Sequence, residues 1–165
     1  MRRVNDFYPT PEWATEVLLD YLPPYLGPTL EPCAGAGDIA KVIALSRRGE
    51  VFCNDLDKGT LWPTHWDATK RSAWAGFHDW VITNPPFSVA AQILPIAYDL
   101  SRLGMAMLLR LSYLEPVENR GAWLNEHPPS KLIVLPRISF TGDGNADSVT
   151  CAWMVWDKMD AGQQI

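Results

Sequence analysis

The sequence predicts an α/β fold, a parallel sheet covered by helices. Three observations predict it. Short apolar runs alternate with helical patterns along the whole chain. A glycine-rich turn joins the first of those runs to the helix that follows. No repeat, low-complexity tract or linker divides the 165 residues, so a single domain over 1–165 is expected.

The elements follow in order. Pro11 opens a helical stretch with Trp13, Val17, Leu18 and Tyr21 near one face, and Pro23-Pro24 ends it. Thr29 to Pro32 is a short first strand. Asp38 can cap a helix running to about Arg48, where Gly49 can end it. Val51 to Asn54 forms the second strand. An irregular stretch with Trp62, Trp66 and Trp74 leads to a third, Trp80 to Thr83. Val89 to Leu103 reads as a helix that Pro95 should kink or interrupt. Met105 to Leu109, Leu132 to Leu135 and Thr150 to Trp156 complete the strands, with a helix at Val117 to Asn125 between the first two.

Composition narrows the function classes. With 47% hydrophobic and 20% charged residues the chain folds around a core. No apolar run approaches the ~20 residues of a membrane span. The basic start, Met1 to Asp6, runs into Phe7-Tyr8-Pro9 and does not read as a signal peptide, so a cytoplasmic protein away from membranes is expected. Cys33, Cys53 and Cys151 are odd in number and widely spaced, which fits reduced thiols and neither a disulfide framework nor a metal site. The net charge of -5 gives no basic footprint for nucleic acid. Positive charge is local, at Arg2-Arg3, Arg47-Arg48, Lys70-Arg71, Arg110, Arg120, Lys131 and Arg137. Any one of these alone reads as solvated surface.

Glu31-Pro-Cys-Ala-Gly-Ala-Gly-Asp38 is the turn after the first strand. Gly35 and Gly37 remove side chains where a ligand must approach the backbone, and the helix start offers unpaired N–H groups. Asp55 ends the next strand about twenty residues on, placed to bond ribose hydroxyls. Taken alone, Gly35-x-Gly37-x-x-Ala40 suits a nicotinamide dinucleotide equally, or a bare turn. A Pro-Cys pair can supply the thiolate for methylation of a ring carbon. Inside this turn, Cys33 is most simply a small packing residue.

The third strand stops abruptly at Asn84-Pro85-Pro86-Phe87. An exocyclic adenine amine or an amide nitrogen is planar because its lone pair is delocalised. Two acceptors on its two N–H bonds favour positive charge on nitrogen as a methyl group arrives. The Asn84 side-chain oxygen and the Pro85 carbonyl can be that pair. Pro85 and Pro86 fix the backbone beforehand. Phe87 supplies a flat face for an extruded base. The chemistry asks for no histidine, so His65, His78 and His127 read as surface or packing residues.

These segments resemble the N6-adenine DNA methyltransferases of bacteria and phages, over nearly the whole chain. Phe7-Tyr8-Pro9-Thr10-Pro11 looks like the family's N-terminal motif, which closes over the cofactor's methionine end through Tyr8, Thr10 and Pro11. Glu31 to Asp38 looks like the cofactor motif, implying contacts from Glu31, Cys33, Ala34, Gly35, Gly37 and Asp38. Asp55, with Leu56 beside it, matches the ribose-binding acid, and Asp67 with Ala68 the position near the cofactor's adenine. Asn84 to Phe87 matches the catalytic motif, with Asn84 also facing the cofactor. Leu109-Arg-Leu-Ser-Tyr-Leu-Glu115 and Leu135-Pro-Arg-Ile-Ser-Phe-Thr-Gly-Asp-Gly144 are similar to the short phage-borne members. The later loop contacts the target base there, which implies substrate roles for Arg137 and Phe140.

The resemblance implies a Rossmann-like class I methyltransferase fold. Its sheet would have seven mostly parallel strands, the last (Thr150 to Trp156) antiparallel, with helices on both faces. It implies S-adenosylmethionine as cofactor and methylation of adenine N6 in DNA. RNA adenine is the alternative polymer. Protein glutamine is a further one, although that family usually has Tyr where Phe87 stands. Cytosine N4 enzymes usually begin the motif with Ser, against Asn84. A cofactor-binding module without catalysis is the reading from another class. No separate target-recognition domain is expected within these 165 residues, so modest specificity, a very short recognition site, a homodimer or a helper subunit is expected.

Overall fold

The structure, a computed structural model, describes residues 8–139 and 149–160. Six strands form one sheet in the order β2-β1-β3-β4-β6-β5. They are β1 (Thr29–Glu31), β2 (Val51–Cys53), β3 (His78–Thr83), β4 (Ser101–Arg110), β5 (Lys131–Val134) and β6 (Cys151–Asp157). The pairs β1/β2, β1/β3 and β3/β4 are parallel, and β6 runs antiparallel between β4 and β5. Four helices accompany them among the described residues: α1 (Glu12–Asp20), α2 (Asp38–Leu45), α3 (Ala90–Leu100) and α4 (Glu118–Glu126).

Alternation along the strands sorts the core into two layers, as a period of two requires. Trp80 and Ile82 of β3, Ala106 and Leu108 of β4, and Trp153 and Val155 of β6 face α1 and α2, meeting Leu18, Ile39 and Ile43. Val81, Met105, Met107, Met154 and Trp156 face the other way onto Ile93, Leu94 and Ala97 of α3 and Leu124 of α4. The buried Trp153 indole donates to the Ala14 carbonyl at 2.8 Å, tying β6 to α1. Gly104 in β4 lets Trp80 and the next strand approach. A Cβ there would lie 2.5 Å from the Trp156 carbonyl oxygen and 2.7 Å from the Trp80 ring. Among the described residues no helix is long and apolar enough to cross a membrane.

Several expectations shift. The sheet has six strands among the described residues, where the resemblance implies seven. The stretch between β2 and β3 forms turns and one 3-10 turn, Arg71–Ala73. Within it the Asn54 amide bonds both backbone groups of Trp66, donating to its carbonyl and accepting from its N–H. Those groups are thereby withdrawn from any strand ladder. Helix α3 passes through Pro95 without interruption. The carbonyl that Pro95 cannot serve is that of Ala91, whose residue is exposed, so water can take it. The same helix ends at Leu100 instead of Leu103. Lys158 Nζ donates to the Tyr98 and Ser101 carbonyls there, and β4 starts at once. Asp38 is the first residue inside α2, and the cap position belongs to Gly37.

The order of the strands positions the site. From β1 the chain moves out to β2, then returns across β1 to β3. The crevice at the carboxyl ends of β1 and β3 is therefore a switch point of the sheet, where open α/β sheets bind ligands. The glycine turn leaves β1 there, and Asn84-Pro85-Pro86-Phe87 leaves β3 beside it.

Candidate active site

A cavity of about 1310 Å³ opens at that switch point. Its floor is the glycine turn. Gly35 (φ 52°) and Gly37 (φ 86°) hold left-handed conformations that favour glycine. A Cβ on Gly37 would meet the Trp62 ring at 2.6 Å, and the Trp62 indole donates to the Gly35 carbonyl at 2.8 Å. Trp62 and the exposed Leu61 thus wall the cavity. Neither is marked for this role by the sequence, since a lone Trp in an irregular stretch carries no periodic signal.

Carboxylates surround the turn. Glu31, only 2% exposed, ends β1, and its Oε2 accepts the Ala40 N–H at 3.0 Å in the first turn of α2. This strand residue therefore does the capping expected of Asp38. Burial holds the Glu31 carboxyl well above the usual range, the Ala40 bond opposes this, and Asp38 and Asp55 add to it. Asp55 Oδ2 accepts the Gly35 N–H at 2.6 Å and Oδ1 the Asp57 N–H at 2.8 Å. Burial, then the Asp55 and Glu31 charges, push the Cys33 thiol far up, so it stays protonated and packs.

Asn84 stands opposite. Its Nδ2 donates to the Tyr8 carbonyl and to Thr10 Oγ1, both at 3.1 Å. A carbonyl oxygen can only accept, so the amide nitrogen must face Tyr8 and the oxygen must face the other way. No described residue donates to Asn84 Oδ1. The Pro86 carbonyl is taken by the Val89 N–H at 3.1 Å, in the turn that leads into α3, while the Pro85 carbonyl is bonded by no described residue. Phe87 sits half-buried between the two core layers, its ring 6.0 Å from that of Tyr8, with the Arg110 guanidinium over it at 4.8 Å.

The expected residues therefore divide. Tyr8, Thr10, Glu31, Cys33, Ala34, Gly35, Asp38, Asp55, Leu56, Asn84 and Pro86 line the cavity. Pro11, Gly37, Pro85 and Phe87 adjoin it in the chain without lining it. Asp67 and Ala68 lie outside the lining. The Asp67 carboxylate accepts the Thr69 hydroxyl at 2.7 Å and its N–H at 2.9 Å, which hold its carboxyl below the usual range. Arg137 is exposed, and Phe140 lies outside the described residues.

No protein-family model and no curated protein matches the sequence. Solved structures match its fold. A protein of Listeria monocytogenes, provisionally assigned as a class I S-adenosylmethionine-dependent methyltransferase, has a TM-score of 0.67 and 10% identity, covering 95% of this chain and 62% of its own. One from Pyrococcus horikoshii, provisionally assigned as an RNA methyltransferase, has a TM-score of 0.65 and 15% identity, covering 91% and 85%. The modification subunit of a provisionally assigned type I restriction enzyme from Vibrio vulnificus has 0.64 and 13%, covering 92% and 44%. At such identities the likeness is one of fold: a mixed α/β sheet, mostly parallel, of the kind these methyltransferases have.

Proposed function

We propose that this chain transfers a methyl group from S-adenosylmethionine to the exocyclic N6 amine of adenine in DNA. The observation that carries the reading is the fixed Asn84 amide, whose Oδ1 is turned away from Tyr8 and Thr10 beside the glycine-turn cavity.

The residues present fit the cofactor part by part. Buried Glu31 can receive its ammonium group and Asp55 its ribose hydroxyls, while Leu56 and Leu61 offer apolar surface to its purine. Gly35 and Gly37 keep side chains off the turn. When bound, S-adenosylmethionine supplies a methyl group already activated on sulfonium.

The chain's own residues then orient the acceptor nitrogen. Asn84 Oδ1 and the Pro85 carbonyl accept its two N–H bonds and stabilise the positive charge that grows as the new N–C bond forms. The nitrogen then gives one proton to solvent and becomes a neutral methylamine. Both acceptors are set before substrate arrives, Asn84 by Tyr8 and Thr10, Pro85 by the rigid diproline, so no reorganisation is needed during reaction. Phe87 offers its face to the extruded base.

DNA is favoured by the resemblance of the flanking segments; RNA adenine is the second reading, and RNA is the polymer in the provisional assignment of the Pyrococcus neighbour. Incubation with methyl-labelled cofactor and separate DNA, RNA and protein pools tests the choice. Label in DNA is the expected result, and label confined to RNA or protein removes the DNA assignment. Asn84→Ala should keep cofactor affinity and lose turnover by about 10²–10³-fold, the usual scale for a preorganised charge-stabilising group. Undiminished turnover would take Asn84 out of the reaction.

A further inference from the structure

We infer that Arg110, which lines a second groove and lies over Phe87 of the tetrapeptide, is the residue through which the target strand's phosphodiester is held. The inference rests on the nucleic-acid reading above. The groove, of about 990 Å³, lies at the carboxyl end of β4 and includes Arg110, Leu111, Ser112, Pro116 and Thr150. Arg110 belongs to both places at once. It lines this groove, and its guanidinium covers a face of Phe87 at 4.8 Å. It is half-buried, and among the described residues it forms no ion pair and no side-chain hydrogen bond. Glu115, the groove's one carboxylate among the described lining residues, is exposed and does not pair with it.

A guanidinium with its fork of N–H donors unused, one wall away from the site, matches the two oxygens of a phosphate better than any other common partner. The hydroxyls of Ser112 and Thr150 add donors of the kind that contact a nucleic-acid backbone. The ring contact decides the sequence of events. A base can stack on the face of Phe87 that Arg110 covers only if the guanidinium leaves it. A phosphate bond, being charge-assisted, outweighs the ring contact and draws the side chain off. Arrival of the strand thus clears the stacking face for the base, and one residue couples backbone binding to base capture.

The test compares wild type, Arg110→Ala and Arg110→Lys in binding fluorescently labelled short DNA and RNA oligonucleotides over a salt series, with cofactor affinity measured alongside by calorimetry. For Arg110→Ala affinity should fall about ten- to a hundred-fold at low salt. The slope of log affinity against log salt should shrink by about one. Arg110→Lys should recover the slope, since it restores the charge, yet not the full affinity. Cofactor affinity should be unchanged in both, which also shows that the variants fold. The preferred arm, DNA or RNA, identifies the strand. An unchanged slope in Arg110→Ala, with wild type binding oligonucleotides, overturns the assignment and leaves Arg110 as packing for Phe87. Absence of salt-dependent binding by wild type while it binds cofactor overturns the nucleic-acid reading itself, and this inference with it.

Discussion

Two side chains, Thr10 and Glu31, tune the cavity, and each carries a consequence. Thr10 holds the Asn84 amide, so removing its hydroxyl should loosen the acceptor without emptying the cavity. Thr10→Val is expected to lower kcat about two- to ten-fold, the worth of one hydrogen bond, with Thr10→Ser restoring it. Equal kcat in Thr10→Val would show that Tyr8 alone orients the amide. Glu31 carries a pH signature. Burial raises its folded pKa above the ordinary 4.5, so the folded chain holds this proton more tightly than the unfolded chain. The associated stability is full below about pH 4.5 and is lost as pH rises through the folded value. In cofactor-free protein the Tm of wild type should therefore fall relative to that of Glu31→Gln across that window, and parallel curves would contradict it. Asn84, Asp55 and Gly35 were legible from residue type and order alone. Trp62 was not, because its contact with Gly37 spans a loop whose path no local pattern encodes. Arg110 appeared only as one isolated charge among several, since its place over Phe87 is set by the β3/β4 pairing.

At the level of elements, hydrophobic period and turn chemistry point to the ten α-helices and strands of the described residues, with their ends shifted by tertiary contacts. The clearest shift is at Ser101. Helical periodicity continues past it, yet Lys158 takes the Tyr98 and Ser101 carbonyls and β4 begins. Pro95 is the converse case, a local rule relieved where the orphaned carbonyl belongs to an exposed residue, Ala91. Strand β4 also hides a packing demand that its apolar run does not announce. Gly104 leaves room for no side chain against the Trp156 carbonyl and the Trp80 ring. Gly104→Ala is expected to destabilise the fold by about 1–3 kcal/mol, as overpacked cores do. That corresponds to a Tm lower by roughly 2–4 °C per kcal/mol in a chain of this size. A thermal unfolding curve unchanged by the substitution would refute the close approach.

For the molecule as a whole, the sheet order makes the site, because it brings the turn after β1 and the tetrapeptide after β3 to one crevice. The order was reachable only through the resemblance, as six short apolar runs permit many pairings. The described residues hold six strands where the resemblance implies seven, and in the stretch after β2 the Asn54 side chain takes the Trp66 backbone groups, an event outside the reach of periodicity. The net charge of -5 sets a constraint on the proposed function: under it, attraction to nucleic acid has to come from local cations such as Arg110 and not from the overall field. The most direct measurement of the central claim is mass spectrometry of nucleosides from DNA incubated with S-adenosylmethionine and either wild-type protein or Asn84→Ala. The account predicts N6-methyladenine with wild type and about 10²–10³-fold less in the same time with Asn84→Ala. Methylation of another base, or equal N6-methyladenine from both proteins, would contradict it.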